Sequence, residues 1–363
     1  MQQLLPIGPD KPWLAPLAGY SDLAFRLLCR ENGAAVACTE MVSAKGIYFA
    51  LAQGHKARQF EGAEEGSVPG HSFNGDPDGN NLKGAWALLN SCPSDSPLVV
   101  QLFGSESEIM PVAMQAVQDF FGQRPIWFDL NLGCSVPKVV KTGAGAALLK
   151  DKNLCLKVAR AMLEFAKAGR VGFKLRLGWE KGQDIYLDLA RELEQMGAAW
   201  VSLHPRYARQ GFGGQADWAA LERLKEALGI PVLASGDLLS PQAACHCLAQ
   251  TGVDGVMFER GALYSPQIFN NFKMLLAGKE LEPSSPRQLT SLVRRHIDLA
   301  RRYAGDARAL SCMRGFIPRY VHDFPGVRAL RQTLATCQSF RELDMILDNF
   351  LKNDDVITRK VVD

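Results

Sequence analysis

Apolar residues in this chain fall into short runs, each followed by a longer stretch in which apolar positions recur every three or four residues. The runs are WLAPLA (13–18), AAVACTE (34–40), LVVQLFG (98–104), IWFDLNL (126–132), VGFKLRL (171–177), AWVSLHP (199–205), PVLASG (231–236) and DGVMFE (254–259). Runs of this length read as strands. The stretches between them, such as SESEIMPVAMQAVQDFF, DIYLDLARELEQMG and DWAALERLKEALG, read as amphipathic helices. Ser105 and Asp217 stand where helices start, and Gly197 and Gly229 where they stop. Eight strands alternating with helices predict an α/β fold, a closed (β/α)8 TIM barrel. An open doubly wound sheet is the rival, and the near-even spacing and the strand count favour the barrel.

Two segments break the repeat. Residues 53–97 form a Gly/Pro/Asp-rich insertion between the second and third strands. Its FNGDPDGNN resembles a calcium loop only on the surface: Asn81 stands where that loop needs glycine, and Ala87 where it needs a closing acid. A solvated turn is expected there. Near Glu280, ELEPSSPRQL reads as a linker, and beyond it the pattern is helical with no strand. Two domains are expected: a barrel over 1–280 and a smaller all-α domain over 281–363.

Composition narrows the setting. The chain has 363 residues, 47% of them hydrophobic, enough for a large core. Its formal charge is only +3, so any electrostatic footprint must lie in the distribution of charge. Nine cysteines with no C-x-x-C pair argue against a disulfide framework and against a zinc site, and no metal is expected. Cys245 and Cys247, two apart in a helical stretch, point in different directions. The start carries no signal-peptide pattern, and no apolar run approaches the ~18 residues a membrane span needs. Reduced thiols, a cytoplasmic location, no membrane partner and a monomeric state are the expectations.

In such a barrel, chemistry lies at the C-terminal strand ends. There the chain places Gln101, Asn131, Cys134, Lys174, Arg176, His204 and Arg206. Lys174 lies in an apolar strand and needs an anionic or acceptor partner, because an unpaired buried charge is costly. Gln101 and Asn131 offer donors and acceptors together, which suits the edge of a heterocycle such as an isoalloxazine. SGD (235–237) and RGA (260–262) put glycines at the ends of the last two strands, where backbone N–H groups approach an anion closely, and imply a phosphate-bearing cofactor. Cys134 is crowded by Lys138 and Lys141. A thiol there is either filler or an acid.

These segments carry a resemblance. APLAGYSDLAFR, TEMVSAKGI, VQLFGSESE, DLNLGCSVPKVVKTGAGAALLKD, KLRLGW, QGFGGQADW, GDLLSPQAA and DGVMFERGAL resemble the dihydrouridine synthase family in order and spacing. MRGFIPRYVHDFPGVRALRQTLATCQSFRELDMIL resembles that family's C-terminal helical RNA-binding domain. The resemblance covers almost the whole chain except the insertion. It implies an enzyme that reduces the C5–C6 double bond of uridine in tRNA, with FMN as cofactor and NADPH as its reductant. It further implies hydride transfer to C6 and a proton from Cys134 to C5. Pro16, Leu17 and Ala18 would line the flavin, and Gln101 and Lys174 would hydrogen-bond its ring. Asn131 and His204 would flank flavin and base. Ser235, Gly236, Asp237, Glu259 and Arg260 match the positions that hold the phosphate tail. Four positions depart from the family's usual pattern: Ser235 replaces an asparagine, Glu259 a small residue, Pro205 a glycine and Ser135 a proline.

The end of the chain is basic. Residues 287–341 contain eleven arginines against Asp298, Asp306 and Asp323. Arg294 and Arg301 are seven apart, as are Arg295 and Arg302, and so lie about two helical turns apart on one face. Such a stripe is the footprint of a polyanion. Lys138, Lys141, Arg206, Arg294, Arg301 and Arg314 are the residues expected to meet tRNA. A flavin barrel acting on a small enone or pyrimidine, and a non-catalytic RNA-binding barrel, are the alternatives. The basic helical segment argues against the first, and the joint presence of Cys134, Lys174 and His204 against the second.

Overall fold

A computed structural model describes residues 5–53, 84–282 and 285–351. Its parallel strands are β1 (Trp13–Leu14), β2 (Val36–Cys38), β3 (Val42–Ser43), β4 (Leu98–Phe103), β5 (Ile126–Leu132), β6 (Val171–Arg176), β7 (Trp200–His204), β8 (Val232–Ala234) and β9 (Gly255–Phe258). They hydrogen-bond in the order β2-β1-β9-β8-β7-β6-β5-β4-β3, and β2 pairs also with β4, which closes the sheet into a barrel. β2 and β3 are two pieces of one barrel strand. Cys38 lies opposite Val99 and Val42 opposite Leu102, four steps against three, so one residue among Thr39–Met41 bulges out. The TIM barrel expected from the alternation is present, and each of the eight apolar runs contains a strand.

The period-2 rule sorts each strand into an outer and an inner line. In β5 the inner line is Trp127, Asp129 and Asn131, and in β6 it is Gly172, Lys174 and Arg176. In β7 it is Trp200, Ser202 and His204. Register sets these side by side, with Asn131 opposite Lys174 and Arg176 opposite His204. Trp13, Val36, Cys38, Val99, Trp127, Trp200, Leu233 and Met257 make an apolar plug at the N-terminal end of the bore. Gly172 is required there, because a Cβ would lie 1.9 Å from the Trp200 ring. Polar groups follow toward the C-terminal end. The barrel is therefore packed at one end and chemically equipped at the other.

The helix expected from Ser105 begins later, at Ile109, with no side-chain cap. Ser105 Oγ instead donates to the Thr142 carbonyl at 2.9 Å, tying the β4 end to the loop that follows Cys134. In the insertion, FNGDPDGNN lies outside the described residues, but 84–97 are well packed. Trp86, Leu89 and Cys92 are buried, and Asp95 takes Arg26 at 2.7 Å and Arg30 at 3.1 Å. Burial works against the Asp95 charge, but these two arginines outweigh it and hold its carboxyl below the usual range.

Beyond the linker the described residues form four helices, Pro286–Ala304, Asp306–Tyr320, Val327–Thr336 and Phe340–Leu351. The first starts with a capping box between Ser285 and Gln288. They do not stand apart from the barrel. Leu292, Val293, Ile297, Leu299 and Ala300 belong to the same buried cluster as Leu23, Phe25 and Leu28 of the helix Leu23–Glu31. The Phe25 ring lies 4.9 Å from Phe316 and 5.8 Å from His296.

Candidate active site

β5 delivers the central feature. After Leu132 the chain turns, and Asn131 Oδ1 accepts the backbone N–H groups of Gly133 at 3.1 Å and Cys134 at 2.9 Å. The Arg176 guanidinium, one strand over, donates to the Gly133 carbonyl at 2.8 Å and to the carbonyls of Tyr207 and Gly211. The chain then folds back, and Ala146 N–H bonds the Cys134 carbonyl at 2.9 Å. Gly145 makes this possible: its φ is +63°, and a Cβ would lie 2.7 Å from the Cys134 carbonyl oxygen. The glycines after the cysteine thus close a loop over it. Cys134 is half-buried, whereas Cys29, Cys38, Cys92, Cys155, Cys247 and Cys337 are buried. Burial pushes the Cys134 thiol up, against smaller opposing pulls from the Val136 backbone and the Arg176 and Lys174 charges. It is a protonated thiol at neutral pH. Lys138 and Lys141 are exposed on the short helix Pro137–Val140 and just after it.

Below the cysteine lies a chain of amides. Asp129 accepts from Gln101 Nε2 at 2.6 Å, and Gln101 Oε1 accepts from Asn131 Nδ2 at 2.7 Å. While ionised, the Asp129 carboxylate only accepts, and it then fixes the orientation of Gln101 and through it of Asn131. Asp129 is buried, and burial pushes it up to about 7.

On the other side of the bore the charged groups meet. Lys174 Nζ lies 2.7 Å from Glu259 Oε1 and 3.2 Å from Ser235 Oγ, and Ser235 Oγ donates to the same carboxylate oxygen at 3.0 Å. His204 Nδ1 lies 3.2 Å from Glu259 Oε2. Arg206 lies 3.3 Å from His204 Nε2. An arginine cannot accept, so Nε2 is the acceptor and the ring proton sits on Nδ1, facing Glu259. Burial lowers the His204 pKa against the pull of Glu259, so the ring is neutral at pH 7. Burial likewise opposes the Glu259 charge, but the Lys174 ammonium and the His204 ring outweigh it and hold this carboxyl well below the usual range.

Arg206 was expected to face RNA. It is buried, grips Asp237 with both NH groups at 2.8 and 2.7 Å, and donates to the carbonyls of Gly213 and Gly214. It holds the loop after β7 to the loop after β8 and offers nothing to a surface ligand. Asp237 sits at φ +58°, after Gly236 at φ +92°, and also takes Arg260 at 3.2 Å. A Cβ on Gly236 would lie 2.9 Å from the His204 ring. Pro16, Leu17 and Ala18 follow β1 at the same barrel end, the first two half-buried and Ala18 exposed. The bore thus gathers Gln101, Asn131, Cys134, Lys174, His204, Ser235, Gly236, Asp237, Glu259 and Arg260.

The C-terminal arginines are placed differently from the expected bare stripe. Arg294 and Arg301 do share a face, but it lines a groove against the helix Phe340–Leu351 with Asp298 and Asp344. Arg294 pairs with Asp348 at 3.1 Å and Arg301 with Asp306 at 2.9 Å. Asp344 and Asp348 follow the arginine-rich window, where a count ending at Arg341 misses them. Arg314 is half-buried and donates to the Cys337 carbonyl inside the helical unit. Arg328 and Arg331 are exposed.

Arg176 was among the expected strand-end residues, but two residues of the site escape the sequence reading. Asp129 stands two residues from Asn131 on the same inner line, and that alternation was the available signal. Phe212, 56% exposed, lies with its ring centroid 4.5 Å from the Arg260 guanidinium and 5.9 Å from the His204 ring, at the mouth. Nothing local distinguishes it from a solvated loop aromatic.

Residues 13–355 match the family described as Dihydrouridine synthase (Dus). The chain is 30% identical to the probable tRNA-dihydrouridine synthase 1 of Synechocystis sp., over 92% of this chain and 84% of that protein. It is 32% identical to the probable tRNA-dihydrouridine synthase of Mycobacterium leprae, over 92% and 86%. It is 30% identical to the tRNA-dihydrouridine synthase B of Pseudomonas syringae pv. tomato, over 91% and 90%.

Proposed function

The chain belongs to the dihydrouridine synthase family, and from that premise we propose that it reduces the C5–C6 double bond of uridine in tRNA, using FMN that NADPH reduces. The observation that carries this reading is the half-buried, protonated Cys134 thiol on the rim of a bore lined by Lys174, His204 and two oriented amides. The relatives' names supply the substrate class.

The residues present fit a flavin mononucleotide in donor chemistry. The Lys174 ammonium gives two of its three N–H groups to Glu259 and Ser235, and Gln101 Nε2 gives one of its two to Asp129, so each keeps a donor that an acceptor-bearing ring can take. Gly236 lets the β8 end pass close to the His204 ring, where a Cβ would lie 2.9 Å away, and so leaves no side chain at that strand end. Lys174, Gln101 and Asn131 would hold the ring, Pro16, Leu17 and Ala18 would line it, and Gly236, Asp237 and Arg260 would hold the phosphate. When bound, the flavin supplies the hydride that reaches C6 of uracil.

Cys134 is the general acid in this reading. A hydride delivered to a conjugated uracil leaves charge that a proton at C5 must quench. The thiol is held protonated by burial, and the Asn131 and Arg176 contacts to its loop fix its position. A uridine in folded tRNA must leave its stack to enter a barrel mouth. Lys138 and Lys141 would meet phosphates at that mouth, and the helical unit would grip the RNA shape. The ion pairs of Arg294 and Arg301 are exposed and screened by solvent, so a phosphate can displace them.

The decisive experiment is single-turnover oxidation of the NADPH-reduced protein by unmodified tRNA, with dihydrouridine measured in the product. Reoxidation with formation of dihydrouridine is the expected result. A reduced protein that tRNA leaves reduced would overturn the assignment.

A further inference from the structure

Both oxygens of Glu259 are taken. One receives Lys174 and Ser235, the other His204. The carboxylate is only 14% exposed, and the Lys174 side chain 9%. In the free protein this pair solves a physical problem, since a buried ammonium without a counter-charge is costly. It also creates one. The donors that Glu259 holds are those that an acceptor-bearing ring and its tail would need. A single Nδ1–H cannot serve two acceptors, and Ser235 Oγ–H is already directed at the carboxylate. The Nε2 side of His204 is closed by Arg206.

Glu259 does nothing else that would hold it inside. It precedes the helix Arg260–Tyr264 and makes no side-chain capping bond to it. The Arg176 guanidinium lies within electrostatic reach, so a carboxylate leaving Lys174 keeps a cation near it. The loop residues around it are fixed through Asp237 and Arg206 rather than through Glu259.

We propose that Glu259 is a built-in substitute for the cofactor: its carboxylate occupies Lys174, His204 and Ser235 in the free protein, and a flavin takes those groups only as Glu259 leaves them. Glu259 therefore sets cofactor affinity. The inference rests on the reading of the bore as a flavin site, and it makes the free protein more stable and the flavin easier to lose.

The test is a titration of the apoprotein with FMN, followed by flavin fluorescence, for the wild type, Glu259→Ala and Glu259→Gln. Thermal unfolding of each apoprotein is measured alongside. Glu259→Gln keeps an acceptor near Lys174 and serves if the alanine variant does not fold. Removing the carboxylate should lower the apo melting temperature, tighten FMN binding by tenfold or more, and enlarge the rise in melting temperature that FMN produces. Adding Lys174→Met to Glu259→Ala should cancel the gain. If wild type binds FMN and the folded variants bind it no more tightly, the substitute role is wrong while the cofactor reading stands. A gain that survives Lys174→Met also overturns it. If none of the proteins binds FMN, the cofactor reading fails and this inference with it.

Discussion

Asn131 Oδ1 accepts the backbone N–H of Cys134 at 2.9 Å, and Asn131 is itself oriented by Gln101 and, behind it, Asp129. The thiol's position is therefore set from inside the barrel. Asn131→Ala would leave the Gly133 and Cys134 N–H groups without their acceptor. Leaving a buried donor unmade costs about 1–3 kcal/mol. The melting temperature should fall accordingly, transfer to tRNA should slow by about tenfold, equivalent to about 1.4 kcal/mol, and iodoacetamide should reach Cys134 faster. Unchanged alkylation together with unchanged transfer would show that the loop holds its shape without Asn131.

Cys134→Ala should preserve the fold, flavin content and reduction by NADPH, since the thiol takes part in none of these. Transfer from reduced flavin to tRNA should slow by roughly a hundredfold to ten-thousandfold, the range of a lost general acid. Cys134→Ser should fall between. Cys155, buried in the helix Lys152–Phe165, is the control and should be indifferent. Wild-type reoxidation by the alanine variant would remove Cys134 from the mechanism.

The pH profile of the transfer step tests the same group. A thiol acts as an acid only while protonated, and burial raises Cys134 above its ordinary 9.0. The single-turnover rate should be flat through neutral pH and decline only on the alkaline side of that value. A break near pH 7 would point instead to Asp129, whose carboxyl titrates at about 7.

Truncation after Glu280 should destabilise the barrel rather than release it intact. It uncovers Phe25 and its neighbours on the helix Leu23–Glu31, which pack on His296 and Phe316. Each large apolar side chain uncovered costs on the order of 1.5–3 kcal/mol. Thermal unfolding of the truncated chain should therefore begin well below that of the whole. Equal melting temperatures would mean that the shared cluster contributes little.

tRNA binding should weaken with salt, and each arginine that meets a phosphate should lower the salt slope by about 1 when removed. Exposed Arg328 and Arg331 should show that loss in filter-binding titrations. Arg294→Ala should matter less, because its guanidinium must first leave Asp348. Equal losses at Arg294 and Arg328 would mean that the ion pair is no obstacle.

The strands, their order of functional side chains and the rim cysteine were legible along the chain because strand geometry repeats every two residues. Gln101, Asn131, Lys174, Arg176 and His204 could be placed at strand ends from the apolar runs, but the inner lines Trp127-Asp129-Asn131, Gly172-Lys174-Arg176 and Trp200-Ser202-His204 became distinct only with the register of the sheet. Closure of the barrel decided the rest. Glu259 meets Lys174 across 85 residues, and only the closed register sets its carboxylate between that ammonium and the His204 ring. Arg206 was read as a surface cation because nothing next to it in sequence answers its charge; Asp237, one strand on, does so in space. Asp348, 54 residues from Arg294, does the same for the basic stripe. Local periodicity specifies which way a side chain faces, but the partner that it finds there is chosen by packing between segments far apart in the chain.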